Sequence, residues 1–154
     1  MRIMSFAKFA IFEGGKALEQ VRRISKEEIP NTVRDVEAKL LPIVGTKSYK
    51  IMGSAGHKPD SGDIDFGVMD VEVDDALVSK LKEKFPDREI EFMKGLEVLS
   101  VSWPIEGDEN KGMVQIDIIP VKNEEWSDFV YAFPEGSRYT SSHRNWLLAA
   151  ITAV

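Results

Sequence analysis

The sequence predicts an α+β fold: a mixed β-sheet flanked by helices, in a single domain spanning residues 1–154. Three observations lead there. The length of 154 residues fits one domain at about 150 residues each. Strand-period alternation occurs at Ile64, Phe66 and Val68 and again at Val114, Ile116 and Ile118, whereas helix-period spacing occurs at Val33, Val36 and Leu40 and at Leu77, Val78 and Leu81. The element order is helix, strand, strand, helix, then strands, then helices, a mixed α+β pattern around one sheet.

Taken in order, residues 1–29 form an N-terminal extension, with Gly14-Gly15 as a turn signal. Ser25-Lys26-Glu27-Glu28 has the capping-box spacing, in which the serine and the glutamate satisfy each other's free amides. Pro30 is tolerated only in a helix's first turn, so a helix is expected from about Pro30 to Leu41, with Val33, Val36, Leu40 and Leu41 inward and Pro42 and Gly45 as its stop. Ser48 to Met52 reads as a short strand and Gly53 to Gly62 as a loop. Asp63 to Val68 is a half-buried strand. Asp74 caps a helix to about Phe85 with Leu77, Val78 and Leu81 inward. Residues 88–93 and 96–103 form a hairpin around Lys94-Gly95, and Gly107 to Gly112 a loop. Met113 to Val121 is a strand that sets Val114, Ile116 and Ile118 against Gln115, Asp117 and Ile119. The core thus covers about 30–121. A helical segment, 122–154, follows, with helices at Glu124–Tyr131 and Ser141–Ala153, the second carrying Trp146, Leu147, Ala150 and Ile151. Its exposed apolar face would suit a homodimer seam.

Composition narrows the function classes. Hydrophobic residues at 43% and charged residues at 30% are ordinary globular usage and argue against disorder. The longest apolar runs, such as Trp146 to Ala150, are too short to cross a bilayer, so no membrane partner is expected. Met1 to Phe6 shows neither an apolar run nor a cleavage pattern, so no signal peptide is expected. The absence of cysteine excludes disulfides, thiolate metal sites and cysteine nucleophiles, and suits a cytoplasmic location. Two histidines argue against a His-rich metal site. Carboxylates remain, and they select hard ions. The net charge of −6 is unevenly spread: residues 1–50 carry ten Lys/Arg against six Asp/Glu, residues 60–128 seven against nineteen. The acidic middle repels phosphate unless cations sit there, and no basic stripe of a duplex-DNA binder is visible.

Three features combine into a chemical constellation. Ile51-Met52-Gly53-Ser54 runs a strand into Gly-Ser, Asp63-Ile64-Asp65 opens the next strand, and Asp117 lies within Val114 to Ile119. Residues two apart in a strand point to one face, about 6.6 Å apart, so Asp63 and Asp65 present both carboxylates together. A neighbouring strand bearing Asp117 would bring a third. Three such charges repel unless a hard cation sits among them. Two Mg²⁺ ions about 3.5–4 Å apart would clamp the attacking and leaving oxygens of a phosphoryl transfer. Gly53 lets the backbone approach phosphates, and free amides with the Ser54 hydroxyl can hold their oxygens. Asp-x-Asp or Gly-Ser alone is common on exposed strands and loops; the spacing of all three features carries the reading.

These segments, with Ser61-Gly62-Asp63-Ile64-Asp65-Phe66-Gly67-Val68, resemble the nucleotidyltransferase superfamily of DNA polymerase β, poly(A) polymerases and minimal nucleotidyltransferases. Gly53 to Val68 is most similar to small nucleotidyltransferase-like proteins of tailed bacteriophages. The resemblance covers about residues 30–121. It implies a polymerase β-like core and transfer of a nucleoside monophosphate from a nucleoside triphosphate to an acceptor hydroxyl on RNA, protein or a small molecule, with pyrophosphate released. It implies that Gly53 and Ser54 hold the triphosphate, that Asp63 and Asp65 bind Mg²⁺ or Mn²⁺, and that Asp117 binds the catalytic ion and helps activate the hydroxyl. A phage origin would place the protein in the host cytoplasm. Two departures stand out. Only eight residues separate Ser54 from Asp63, with Gly56 and Pro59 among them, so the helix that usually follows Gly-Ser has little room and the grip would fall to the loop, with Lys58 and His57 as helpers. The chain also ends soon after the core, so acceptor choice would rest on a dimer, a partner or residues 1–30.

Lesser candidates have two readings. Lys58 could meet phosphate or be a plain loop lysine, and His57 reads as a solvated loop residue. Arg138, Tyr139, His143 and Arg144 could meet a phosphate or stack a base, or could simply open a helix capped by Ser141 or Ser142. Arg22-Arg23 reads as surface, Trp103-Pro104 and Trp126 as packing, and Glu106, Asp108 and Glu109 as poor substitutes for Asp117. The function from a different class is a catalytically inactive nucleotide-binding or regulatory module of the same fold, acting on a host protein partner.

Overall fold

The computed structural model describes residues 17–123, together with Glu125, Asp128, Leu147, Ala150 and Ile151. It is α+β. Its elements are β1 (Ile24–Ser25), α1 (Ile29–Lys39), α2 (Leu41–Val44), β2 (Tyr49–Met52), β3 (Asp60–Ser61), β4 (Asp63–Val68), α3 (Asp75–Lys84), β5 (Ile90–Met93), β6 (Val98–Pro104) and β7 (Met113–Pro120). Five strands form one mixed sheet in the order β2-β4-β7-β6-β5, and β1 pairs with β3 in a separate ribbon. Only β4 and β7 run parallel; the other pairings are antiparallel.

Alternation explains which face packs. Ile64, Phe66 and Val68 of β4, Val114, Ile116 and Ile118 of β7, and Leu99, Val101 and Trp103 of β6 join Val36 of α1, Leu41 and Val44 of α2, and Leu77 and Leu81 of α3 in one core. Trp103 meets Phe85 edge to face at 5.1 Å between ring centres and donates its indole N–H to Asp35 Oδ2 at 2.9 Å. The opposite face of these strands carries Asp63, Asp65, Ser100, Ser102, Gln115 and Asp117. Most of that polar face is nonetheless buried: Ser100, Ser102, Gln115 and Asp117 are each less than a tenth exposed.

Most expected elements are present, with corrections at their ends. Asp74 caps α3 by accepting the Leu77 N–H at 2.8 Å. Gly45 ends the helical region at φ +89°, as its type suggests. Pro42 does not stop the helix. The chain breaks at Leu40 and restarts, and Pro42 sits in the first turn of α2, where no N–H is required. The capping box is half formed. The Glu28 carboxylate accepts the Ser25 N–H at 3.0 Å, but the Ser25 hydroxyl donates to that carboxylate instead of accepting the Glu28 amide. Arg22 takes the other side of Glu28 at 2.7 Å and is the main cause of its carboxyl lying at about 2. The hairpin turn is wider than expected: Met93 pairs with Val98, so Lys94 to Glu97 form the turn and Leu96 leaves the strand, 40% exposed. The 107–112 stretch holds the end of one 3-10 turn, Ile105–Gly107, and all of a second, Glu109–Lys111.

Of the C-terminal expectations, Glu125 and Asp128 are helical, as are Leu147, Ala150 and Ile151. Trp126 and the Arg138, Tyr139, His143, Arg144 cluster lie outside the described residues. Lys50 on β2 forms an ion pair with Asp128. Among the described residues no helix is long and apolar enough to cross a membrane.

Candidate metal centre

The parallel pairing of β4 with β7 builds the site. Its register sets Asp63 opposite Gln115 and Asp65 opposite Asp117. One oxygen from each of Asp63, Asp65 and Asp117 lies within 4.8 Å of the others. The convergence expected from the sequence is therefore realised, and among the described residues this is the one group of acidic or imidazole side chains placed to share an ion.

Neighbouring strands complete the surroundings. β2 delivers Met52 opposite Asp65, and Gly53 follows at φ +70°. A Cβ on Gly53 would stand 2.3 Å from Asp65 Oδ2, so glycine is required both for the backbone turn and for the approach of the carboxylate. β6 delivers Ser100 opposite Asp117, and its hydroxyl donates to Asp117 Oδ1 at 2.6 Å. Gln115 shares Asp117's strand face and donates from Nε2 to Oδ1 at 3.0 Å and Oδ2 at 3.1 Å. Its own Oε1 accepts the Ala17 N–H at 3.2 Å.

All three carboxyls are pushed toward the protonated form. Burial is the largest cause for each. Asp117 is raised to about 6, against the lowering effect of the Ser100 hydroxyl and with a further push from Asp63. Asp65 is raised well above the usual carboxylate range, first by burial and then by Asp63 and Asp117. Asp63 is raised less freely, because the Arg23 charge opposes the effect of burial. Asp63 and Asp65 keep some accessible surface, but the protein packed around their carboxyls desolvates them.

The donor set fits a hard cation. Three carboxylate oxygens of suitable spacing, repelling one another in a low-dielectric setting, match the preference of hard cations for oxygen ligands. The close Gly53 backbone leaves the Asp65 side of the group uncrowded by a side chain.

Other candidates divide. Ser54 is half-buried in the turn after Gly53, and its carbonyl accepts the His57 N–H at 3.1 Å. No helix intervenes between Gly53 and Asp63, so the short interval does produce a turn-built loop. Lys58 and His57 are exposed in that loop, and the Lys58 charge helps keep Asp60 ionised. Glu106 engages Asn31 and Lys111, and Glu109 engages Arg88, so both spend their carboxylates locally.

Three contributors escaped the sequence reading. Ser100 and Gln115 orient Asp117; the signal was their strand parity with Asp117, together with polar residues where burial was expected. Arg23, read as plain surface, binds Asp60 Oδ1 at 2.6 Å, and its charge reaches Asp63. The two-residue β1–β3 ribbon that brings it there is too short to leave a periodic trace.

No protein-family model matches the chain, and no curated protein matches it.

Proposed function

We propose that the protein is a metal-dependent nucleotidyltransferase that moves a nucleoside monophosphate from a nucleoside triphosphate to an acceptor hydroxyl and releases pyrophosphate. The observation that supports it most is the facing of Asp65 and Asp117, joined by Asp63, beside the glycine turn that follows β2. The polymerase β-like character of the core is part of the same proposal, resting on the Gly-Ser, Asp-x-Asp and third-acid pattern.

Asp63, Asp65 and Asp117 would hold Mg²⁺ or Mn²⁺. When bound, the ion supplies positive charge against the phosphates and makes a coordinated hydroxyl more acidic. The chain does the rest. The Gly53-Ser54 backbone and the Ser54 hydroxyl would take phosphate oxygens, with Lys58 on the outer side of the loop. Asp117 would help to take the acceptor's proton. The acceptor would be an RNA end, a protein hydroxyl or a small molecule. Leu147 and Ile151, each more than 60% exposed and one helical turn apart, are the surface a homodimer would cover.

The test incubates the protein with Mg²⁺ or Mn²⁺, each α-labelled nucleoside triphosphate and a cell extract, beside the Asp63→Ala/Asp65→Ala variant. Label transferred only by the wild type supports the reading, and the labelled fraction names the acceptor class. Nucleotide binding without transfer moves the assignment to an inactive regulatory module of the same fold. No metal-dependent nucleotide binding would overturn the transferase reading.

A further inference from the structure

We infer that Ser100 and Gln115 make Asp117 a one-oxygen metal ligand and so set the centre against ions, such as Ca²⁺, that take a carboxylate through both oxygens. The inference rests on the metal-site reading above and concerns two residues that this reading does not use.

A carboxylate offers about four lone-pair directions, two on each oxygen. On Asp117, Oδ1 receives the Ser100 hydroxyl at 2.6 Å and Gln115 Nε2 at 3.0 Å, which fills it. Oδ2 receives only the longer arm of the Gln115 amide, at 3.1 Å, and keeps a direction open. Ser100 is fully buried and Gln115 is 2% exposed, so water does not compete for either bond. Turning Asp117 to present both oxygens to an ion would break the Ser100 bond and strand a buried hydroxyl.

The amide orientation is itself fixed. Gln115 Oε1 accepts the Ala17 N–H, which leaves Nε2 to face Asp117. The reverse orientation would set one carbonyl oxygen against a carboxylate and an amide NH₂ against a backbone N–H. The segment before β1 thereby acts on the centre through one hydrogen bond, across 98 positions of sequence. Mg²⁺ and Mn²⁺ take six oxygens with carboxylates bound through one atom, whereas Ca²⁺ takes six to eight and readily accepts both oxygens of a carboxylate. Ser100 and Gln115 are thus positioning residues that act through Asp117.

The experiment uses the full chain, as wild type and as Ser100→Ala and Gln115→Met. Mn²⁺ binding is followed by water-proton relaxation, and Ca²⁺ is measured by competition. Thermal unfolding checks each variant's fold. Infrared difference spectra record the carboxylate splitting, which is wide for one-oxygen and narrow for two-oxygen ligation. The wild type should prefer Mn²⁺ and show the wide splitting. Each variant should lose roughly 10–100-fold in Mn²⁺ affinity, the usual cost of losing a residue that holds a ligand, while Ca²⁺ weakens less and its splitting narrows. Equal weakening of both ions with an unchanged splitting would overturn the inference and leave the metal site standing. A wild type that binds neither ion would overturn the site reading and this inference with it. If Gln115→Met does not fold, Ser100→Ala, which only removes an oxygen, decides the matter alone.

Discussion

Asp65 and Asp117 stand opposite one another across the parallel β4–β7 pair, two carboxylates brought together by backbone register. With Asp63 they form a group that is costly to leave ionised in the absence of a cation. Burial, joined by neighbouring carboxylates at Asp65 and Asp117, pushes all three toward the protonated form, and this is the origin of several measurable properties.

Asp117→Asn should stabilise the metal-free protein near pH 7.5 by roughly 1–3 kcal/mol. The folded carboxyl titrates at about 6, above its unfolded value of 3.8, so the folded state binds the proton more tightly. The contribution of Asp117 to stability is therefore fully present below pH 4, is lost as pH rises through 6, and stays absent beyond it. Asparagine keeps an oxygen for Ser100 and Gln115 and removes that loss. Urea unfolding at pH 4, 6 and 8 checks it; a variant less stable than wild type at pH 8 would refute the argument.

The stabilisation by divalent ions should run in the opposite direction with pH. Mg²⁺ or Mn²⁺ competes with the protons on Asp63, Asp65 and Asp117, so its stabilisation should grow from pH 5 to pH 8. At about 100 times the dissociation constant the gain is about 2.7 kcal/mol, several degrees in Tm for a chain of this size. Thermal melts with and without metal measure it, and Asp63→Ala should abolish the shift.

Gly53 and Gly56 form a controlled pair. Both have positive φ, +70° and +81°, but only Gly53 faces a carboxylate. Alanine at Gly56 should cost about 1 kcal/mol of backbone strain and leave metal binding unchanged. Alanine at Gly53 should cost more and also weaken metal binding, because the Asp65 carboxylate must move away from its Cβ. Equal metal affinities for the two variants would remove Gly53 from the site.

On the far side of the sheet, Asp35→Ala should destabilise without touching the metal centre. It strands the buried Trp103 indole N–H and removes the Asp35–Lys39 pair, with a cost of about 1–3 kcal/mol. Denaturant unfolding reads the loss, while Mn²⁺ affinity should stay at the wild-type value.

The legible parts of this fold share one property, a periodic pattern long enough to register. Ile64, Phe66 and Val68 announced β4, and the acids between them announced its polar face. Asp74 with Leu77 and Leu81 announced α3. The pairing of β4 with β7 is a condition of the site that the sequence leaves open, since alternation marks each strand but not its neighbour. What stayed hidden depended on partners distant in sequence. Ser100 looked like a neutral strand residue until register placed it beside Asp117. Gln115 needed Ala17, and Arg23 needed a two-residue ribbon. Pro42 was misread because a proline that ends one helix is equally suited to begin the next.

The parallel register of β4 with β7 also makes the centre a contact between distant parts of the chain. Two parallel neighbours cannot be joined by a tight turn, and here residues 69–112, comprising α3 and the β5–β6 hairpin, lie between them. Closing so long an excursion is entropically slow compared with forming the hairpin itself. Asp63 and Asp65 share one strand, whereas Asp117 joins them only when that excursion is closed. The three carboxyls therefore come together only where β4 and β7 are paired, so capture of an ion by the group would report that the two strands have met.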